Sequence, residues 1–136
     1  MAADINIYNP EELGPPMGQY THVTRVKASE FLFIAGMLSG DAKGNIIGAG
    51  DFDKQTTQVF GNIEAALKSA GAGWGNVVEF TTYMVHSQDI PKFMTFRKRV
   101  FPTFFPNGAY PPNTLLMVDR LVQEPFLVEV QTIAAI

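Results

Sequence analysis

Apolar residues between positions 56 and 70 recur as they do on one face of a helix: Thr56, Val59, Phe60, Ile63, Ala66, Leu67 and Ala70 follow a spacing close to i, i+3, i+4, i+7. Asp51 stands where an N-cap would accept the free amides of the first turn, and Gly71 supplies the stop. A second helix opens at Asp89 with Pro91, carries the stripe Phe93, Phe96, Val100, Phe101 and Phe104, and ends by Pro106 and Gly108. Elsewhere the period is two. His22, Thr24 and Val26 alternate with Val23 and Arg25, and residues 31–35 follow a short Ala28-Ser29-Glu30 turn. This predicts a hairpin of one half-buried and one more buried strand. Asp41 to Asn45 is a turn, Ile46-Ile47 a short further strand, and the first thirteen residues are polar and extended. Residues 77–85, 115–118 and 126–133 complete the strands, the second entered through Pro111-Pro112 and the third through Gln123-Glu124-Pro125. The order ββ(β)αβαββ predicts one α+β domain over residues 1–136, a mixed sheet with two helices packed on one face. Connections after each helix favour parallel neighbours.

Two helices cover only one face. The last strand puts Phe126, Val128, Val130, Thr132 and Ala134 on one side and Leu127, Glu129, Gln131 and Ile133 on the other, so both sides carry apolar residues. Residues 31–34 are apolar on both sides too. A sheet apolar on both faces predicts that a second copy of the chain buries the outer one, with ligand sites at the seams.

Composition narrows the field. Of 136 residues, 46% are hydrophobic and 17% charged, which excludes a disordered chain. No apolar run is long enough to cross a bilayer, and the acidic, polar start lacks the features of a signal peptide, so the expected location is the cytoplasm. There is no cysteine, hence no disulfide and no thiolate chemistry, and a formal charge of −3 offers no general attraction to nucleic acid.

Candidate chemistry is sparse. His22 and His86 fall on different strands without a supporting carboxylate motif, so no metal is expected and neither is any other cofactor. No GxSxG elbow is present. The cluster Gly71-Ala72-Gly73-Trp74-Gly75 follows a helix instead of opening one, which makes it a C-cap and loop. Arg97-Lys98-Arg99 reads as a basic patch on a solvated helix face. Glu129 is different: a glutamate between Val128 and Val130 in mid-strand is unfavourable. It is either a solvent-facing position or, at a covered seam, a desolvated acid that exchanges protons near neutrality. Tyr20, Ser39, Asn113 and Thr114 are the other polar groups at strand ends.

Taken together and in order, GQYTHV (18–23), FLFIAGMLSGDAKGNIIG (31–48), the glutamine-rich first helix with Asn62-Ile63, VVEFTTYMVHSQDIPKF (77–93), PPNTLLMVDRL (111–121) and LVEVQTIA (127–134) resemble the YjgF/RidA-like family, also called RutC-like or endoribonuclease L-PSP. The resemblance covers nearly the whole chain. It implies a chorismate-mutase-like fold, a homotrimer whose sheets surround a central barrel, three clefts between subunits, and deamination of reactive enamines and imines. Position by position, it implies that the cleft tyrosine is Tyr20, the turn glycine Gly36, the pocket phenylalanine Phe93 and the water-positioning acid Glu129. The family's carboxylate-clamping arginine falls on Asn113, beside Thr114.

Asparagine carries donors and an acceptor but no charge, and losing a desolvated arginine–carboxylate pair costs ~2–5 kcal/mol. The expectation is therefore a hydrolase or deaminase of a small enamine or imine other than simple amino-acid-derived imino acids. Glu129 is catalytic, and Tyr20, Gly36, Phe93, Asn113 and Thr114 bind substrate. Arg97 is a conceivable substitute cation, but nothing in the sequence turns it inward. A non-catalytic ligand-binding or regulatory protein with the same cleft is the alternative. Ribonuclease action is opposed by the acidic charge and by the lack of a general-base histidine in a basic groove.

Overall fold

Asp51 caps the first helix as the pattern requires, its Oδ1 accepting from the Lys54 amide at 3.0 Å. In the computed structural model, which describes residues 2–136, this helix is α1, Phe52–Ser69. Thr56, Val59, Phe60, Ile63 and Leu67 are buried, and Gly71 ends the helix with a left-handed φ of 72°. The second helix, α2, spans Ile90–Phe104 and buries Phe93, Phe96 and Phe101.

Among the described residues six strands accompany them: β1 Asp4–Tyr8, β2 Val23–Lys27, β3 Phe31–Met37, β4 Val77–Met84, β5 Asn113–Met117 and β6 Val128–Ala135. The main sheet is mixed, in the order β3-β6-β4-β5, with β4 and β5 parallel and the other pairs antiparallel. Val128, Val130, Thr132 and Ala134 of β6 face the helices and are fully buried. The core gathers around Phe60, whose ring lies 5.5 Å from Phe96 and Phe101 and 5.8 Å from Phe80. Trp74, in a 3-10 turn before β4, stacks on Phe104 with centroids 4.0 Å apart.

Three expectations fail. The hairpin of residues 22–26 with 31–35 does not form. Instead β2 pairs with β1 in a separate two-stranded ribbon, and β3 pairs with β6. The reason is burial: Arg25 and Lys27 keep one side of β2 in solvent, whereas β3 is apolar on both sides and goes to the sheet that can use both. Ile46 makes only an isolated bridge to Gly40, so the third strand ahead of α1 is β1, not residues 46–47. The first helical crossover also skips a place: β3 and β4 run in the same direction with β6 inserted between them. Among the described residues, no helix is long and apolar enough to cross a membrane.

The face of the sheet away from the helices is left open. Phe33 there is 76% exposed, with Phe31 and Leu116 nearly half exposed.

Candidate functional site

Glu129 sits on that open face, in register with Tyr83 of β4. Its side chain lies across Gly36 of β3, at the irregularity in the β3–β6 ladder between Ile34 and Met37. A methyl group at position 36 would come within 2.6 Å of the Glu129 carboxylate carbon, so only glycine leaves the acid this resting place. Half-burial raises the Glu129 pKa above the ordinary carboxylate value, the cause being desolvation. None of the ion pairs among the described residues involves it.

Helix α1 holds both ends of this pair in place. The Gln55 side chain, fully buried, donates to the Pro125 carbonyl at 2.8 Å and accepts from the Leu127 amide at 2.8 Å, fixing the entry to β6 two residues before Glu129. Asn62 Nδ2 donates to the carbonyls of Leu38 at 3.0 Å and Gly40 at 2.8 Å, fixing the exit from β3 two residues after Gly36. A side-chain amide that satisfies backbone groups where the chain leaves a strand replaces the ladder bonds lost there. Gln55 and Asn62 were visible in the sequence only as part of a glutamine-rich helix.

Asn113 is the first paired residue of β5, beside Phe80, and its side chain faces the helices. Its Oδ1 accepts from Thr82 Oγ1 at 2.8 Å. That bond orients the amide and leaves Nδ2 without an acceptor among the described residues. Thr114 alternates to the open face and is exposed.

Tyr20 and Phe93 flank a residue that the sequence placed in solvent. Arg97 is not part of an exposed basic patch: it is 2% exposed, while Lys98 and Arg99 remain outside. Its guanidinium carbon lies 4.7 Å from the Phe93 ring centroid and 6.0 Å from that of Tyr20. Arg97 Nη2 contacts Met94 Sδ at 2.9 Å, and Nε and Nη1 are buried without any partner. Burial pushes its pKa down to about 10. The turn of helix explains the burial, since position 97 follows Phe93 by four and precedes Phe101 by four, inside the apolar stripe. Phe93 is itself core, 1% exposed, and forms the floor beneath the cation.

The predicted residues therefore do not meet in one chain. Gly36 and Glu129 lie on the open face towards β3. Asn113, Tyr20, Phe93 and Arg97 belong to the helix side, and β4 separates β6 from β5, a lateral gap of roughly 10 Å at ordinary strand spacing. Among the described residues, no three His, Asp or Glu side chains gather as a metal site would need.

Residues 12–136 match the family model described as Endoribonuclease L-PSP. A RutC family protein of Pyrococcus horikoshii is 34% identical over 124 residues, covering 91% of this chain and 92% of that protein. The 3-aminoacrylate deaminase RutC of Acinetobacter baylyi is 26% identical over 125 residues, 92% of this chain and 93% of its own. Among solved structures, a Rid-family protein of unknown function from Yersinia pestis superposes with a TM-score of 0.86 at 28% identity, covering 97% of this chain and 98% of that one. TdcF of Escherichia coli, solved with bound serine, shares the fold at 20% identity with a TM-score of 0.70, covering 96% of this chain and 98% of its own.

Proposed function

This chain belongs to the Endoribonuclease L-PSP family, which includes the RutC and Rid proteins, and from that premise we propose that it hydrolyses a small enamine or imine in a cleft between subunits of a homotrimer. The observation that carries the reading is the Glu129–Gly36 pair: a desolvated carboxyl without an ion-pair partner among the described residues, resting where only a glycine leaves room. An acid with a raised pKa, free of any counter-ion, is suited to take a proton from water.

Assembly supplies the other half. The sheet ends in two unpaired edges, β3 and β5, so the Gly36–Glu129 side of one copy can meet the Asn113 side of the next. Such a head-to-tail contact generates a closed ring when its rotation closes, and it covers Phe31, Phe33 and Leu116. In the resulting cleft an enamine first takes a proton from solvent on carbon to become the iminium ion, the state in which an imine also reacts. Glu129 then accepts a proton from water as the oxygen bonds to the C=N carbon and the π electrons neutralise the nitrogen. Glu129 returns that proton to the nitrogen, and the tetrahedral adduct expels ammonia as the C=O forms and the hydroxyl proton passes back to the Glu129 carboxylate, from which ammonia or solvent removes it. Asn113, aligned by Thr82, orients the group next to the reacting carbon. Tyr20 walls the cleft, Phe93 supports it from the core beneath Arg97, and Thr114 lies at the seam. Asn113 is neutral, so a carboxylate borne directly on the reacting carbon is not clamped there. The substrate is accordingly other than a simple amino-acid-derived imino acid. The deaminase activity named for the Acinetobacter relative supports the reaction class. That same neutrality favours a second reading, a ligand-binding or regulatory protein without turnover.

Glu129→Gln decides between the two. The hydrolase reading expects turnover of 3-aminoacrylate, generated in situ and followed by ammonia release, to fall at least about a hundredfold while the ring persists in sedimentation. An unchanged rate would reduce Glu129 to a strand-face residue, and no wild-type turnover of any enamine or imine tested would leave the binding protein.

A further inference from the structure

Buried charges are ordinarily paired, because an unpaired ion loses its hydration without compensation. Arg97 breaks this rule. The ion pairs among the described residues join Lys68 to Glu64, Lys92 to Asp89 and Arg120 to Glu124, and none reaches Arg97. Two of its three nitrogens have no acceptor. The aromatic faces of Phe93 and Tyr20 stabilise the cation but accept no hydrogen bond in the plane of the fork, where Nε and Nη1 project. A second unsatisfied nitrogen lies nearby: His22 Nδ1 is buried without a partner, on a ring packed edge-on against Tyr20 with centroids 6.1 Å apart. Nitrogen groups thus gather around Tyr20 with no acid to answer them.

We propose that Arg97 is the anion-binding residue of the cleft and that the substrate is an acid whose carboxylate is set apart from the reacting carbon. This deepens the hydrolase reading and rests on it for the reaction, though not for the binding. Nη1 with Nη2, or Nε with Nη2, forms a planar fork that matches a carboxylate with two parallel hydrogen bonds; each fork here has one nitrogen without a partner and shares Nη2, whose contact with Met94 Sδ a carboxylate oxygen would replace. The charge then comes from α2 and not from the start of β5, where Asn113 meets only neutral groups. Access is governed by residues 17–20, which cover the guanidinium. Gly18 packs so closely that a Cβ there would lie 2.7 Å from Met94 Cε and 3.4 Å from Arg97 Nη2. Met17 is 84% exposed; within the strap the Tyr20 amide donates to the Gly18 carbonyl at 2.9 Å and the Met17 amide donates to Tyr20 Oη at 3.2 Å. A ligand entering beside Tyr20 exchanges that bond for contact with the fork.

The test uses 3-hydroxypropionate, a stable acid with one carbon between carboxylate and polar carbon, and its neutral amide 3-hydroxypropanamide. Binding is measured by calorimetry and thermal shift on the whole assembled protein. Wild type is expected to bind the acid saturably and the amide at least about tenfold more weakly. Arg97→Met, which replaces the buried ion by an apolar chain of similar length, is expected to stay folded and assembled and to lose the acid at least about tenfold. Acid affinity unchanged in Arg97→Met, or a wild type indifferent to the acid, overturns the proposal. So does a variant that falls apart into monomers when the wild type ignores the acid, because the counter-charge would then come from a neighbouring subunit. Should Arg97→Met fail to fold, Arg97→Lys decides: it keeps the charge but loses the fork, and undiminished affinity overturns the assignment. Glu129→Gln is expected to lose turnover and retain acid binding, whereas a wild type that binds the acid but turns over no enamine or imine counts against the hydrolase reading alone.

Discussion

The two faces of the main sheet solve the burial problem in opposite ways. On the helix side, alternate residues of β6 meet Phe60, Phe96 and their neighbours in a closed aromatic core. The open side carries Phe31, Phe33 and Leu116 at the surface together with the half-buried Glu129 carboxyl, which no ion pair among the described residues reaches. A finished face needs no acid, and a monomeric surface needs no exposed phenylalanines. Their combination is the observation on which the proposed subunit seam rests. The contrast extends to charge: the open face holds an unpaired acid, the helix side an unpaired base, and β4 keeps them apart within one chain.

The strongest way to break this comparison is to make the open face polar. Phe33→Asp forfeits ~1.5–3 kcal/mol of apolar burial per subunit and places a charge in the seam. Sedimentation should show monomers at micromolar concentration and the hydrolase rate should vanish, with the far-ultraviolet circular dichroism of the fold retained. A monomeric wild type would remove the seam altogether.

A smaller effect tests the neutral position on β5. The wild type should hydrolyse 2-iminopropionate slowly, because its carboxylate sits on the reacting carbon and meets Asn113. Asn113→Arg should raise that rate at least about tenfold through a charge-assisted pair, read in a coupled assay with both proteins side by side. Rapid wild-type turnover would show that Asn113 does not set the substrate.

The smallest effect is pH-dependent. The folded-state pKa of Glu129 is raised, so in acid the carboxyl is protonated in both folded and unfolded chains and costs nothing. As pH rises through the ordinary carboxylate range, only the unfolded chain ionises freely, and the folded state loses stability. Glu129→Gln should therefore be the more stable protein near neutrality, and its advantage should shrink in acid denaturation curves. The same shift places the acidic fall-off of the wild-type rate above the ordinary carboxylate pKa.

Much of the fold was legible because its signals are local. Asp51, the 3.6-residue period and Gly71 define α1 without help from the rest of the chain, and the alternation of β6 already sorted Glu129 from Val128 and Val130. Pairing was not local. In β1 only Ile5 and Ile7 alternate, too short a pattern to separate a strand from an extended tail, and proximity in sequence wrongly suggested that β2 pairs with β3. The site was half legible. Glu129 and Asn113 stood out as polar residues where strands disfavour them, but the opposite faces they occupy depend on the β4–β5 and β4–β6 registers. Arg97 was hidden by its neighbours Lys98 and Arg99, although its place four residues from both Phe93 and Phe101 put it within the buried stripe.

The stack of Trp74 on Phe104 has a practical consequence. Trp74 is the chain's single tryptophan, so all indole emission comes from the turn that leads into β4 and from the end of α2 packed against it. That reporter is remote from Glu129 along the strand: β4 meets Ala134 at Val77, just after Trp74, and Glu129 only at Tyr83. Fluorescence should therefore follow the loosening of the aromatic core while remaining nearly blind to events at the seam. Subunit dissociation that leaves the indole signal flat, followed by unfolding that shifts it, would resolve the two transitions in a single titration.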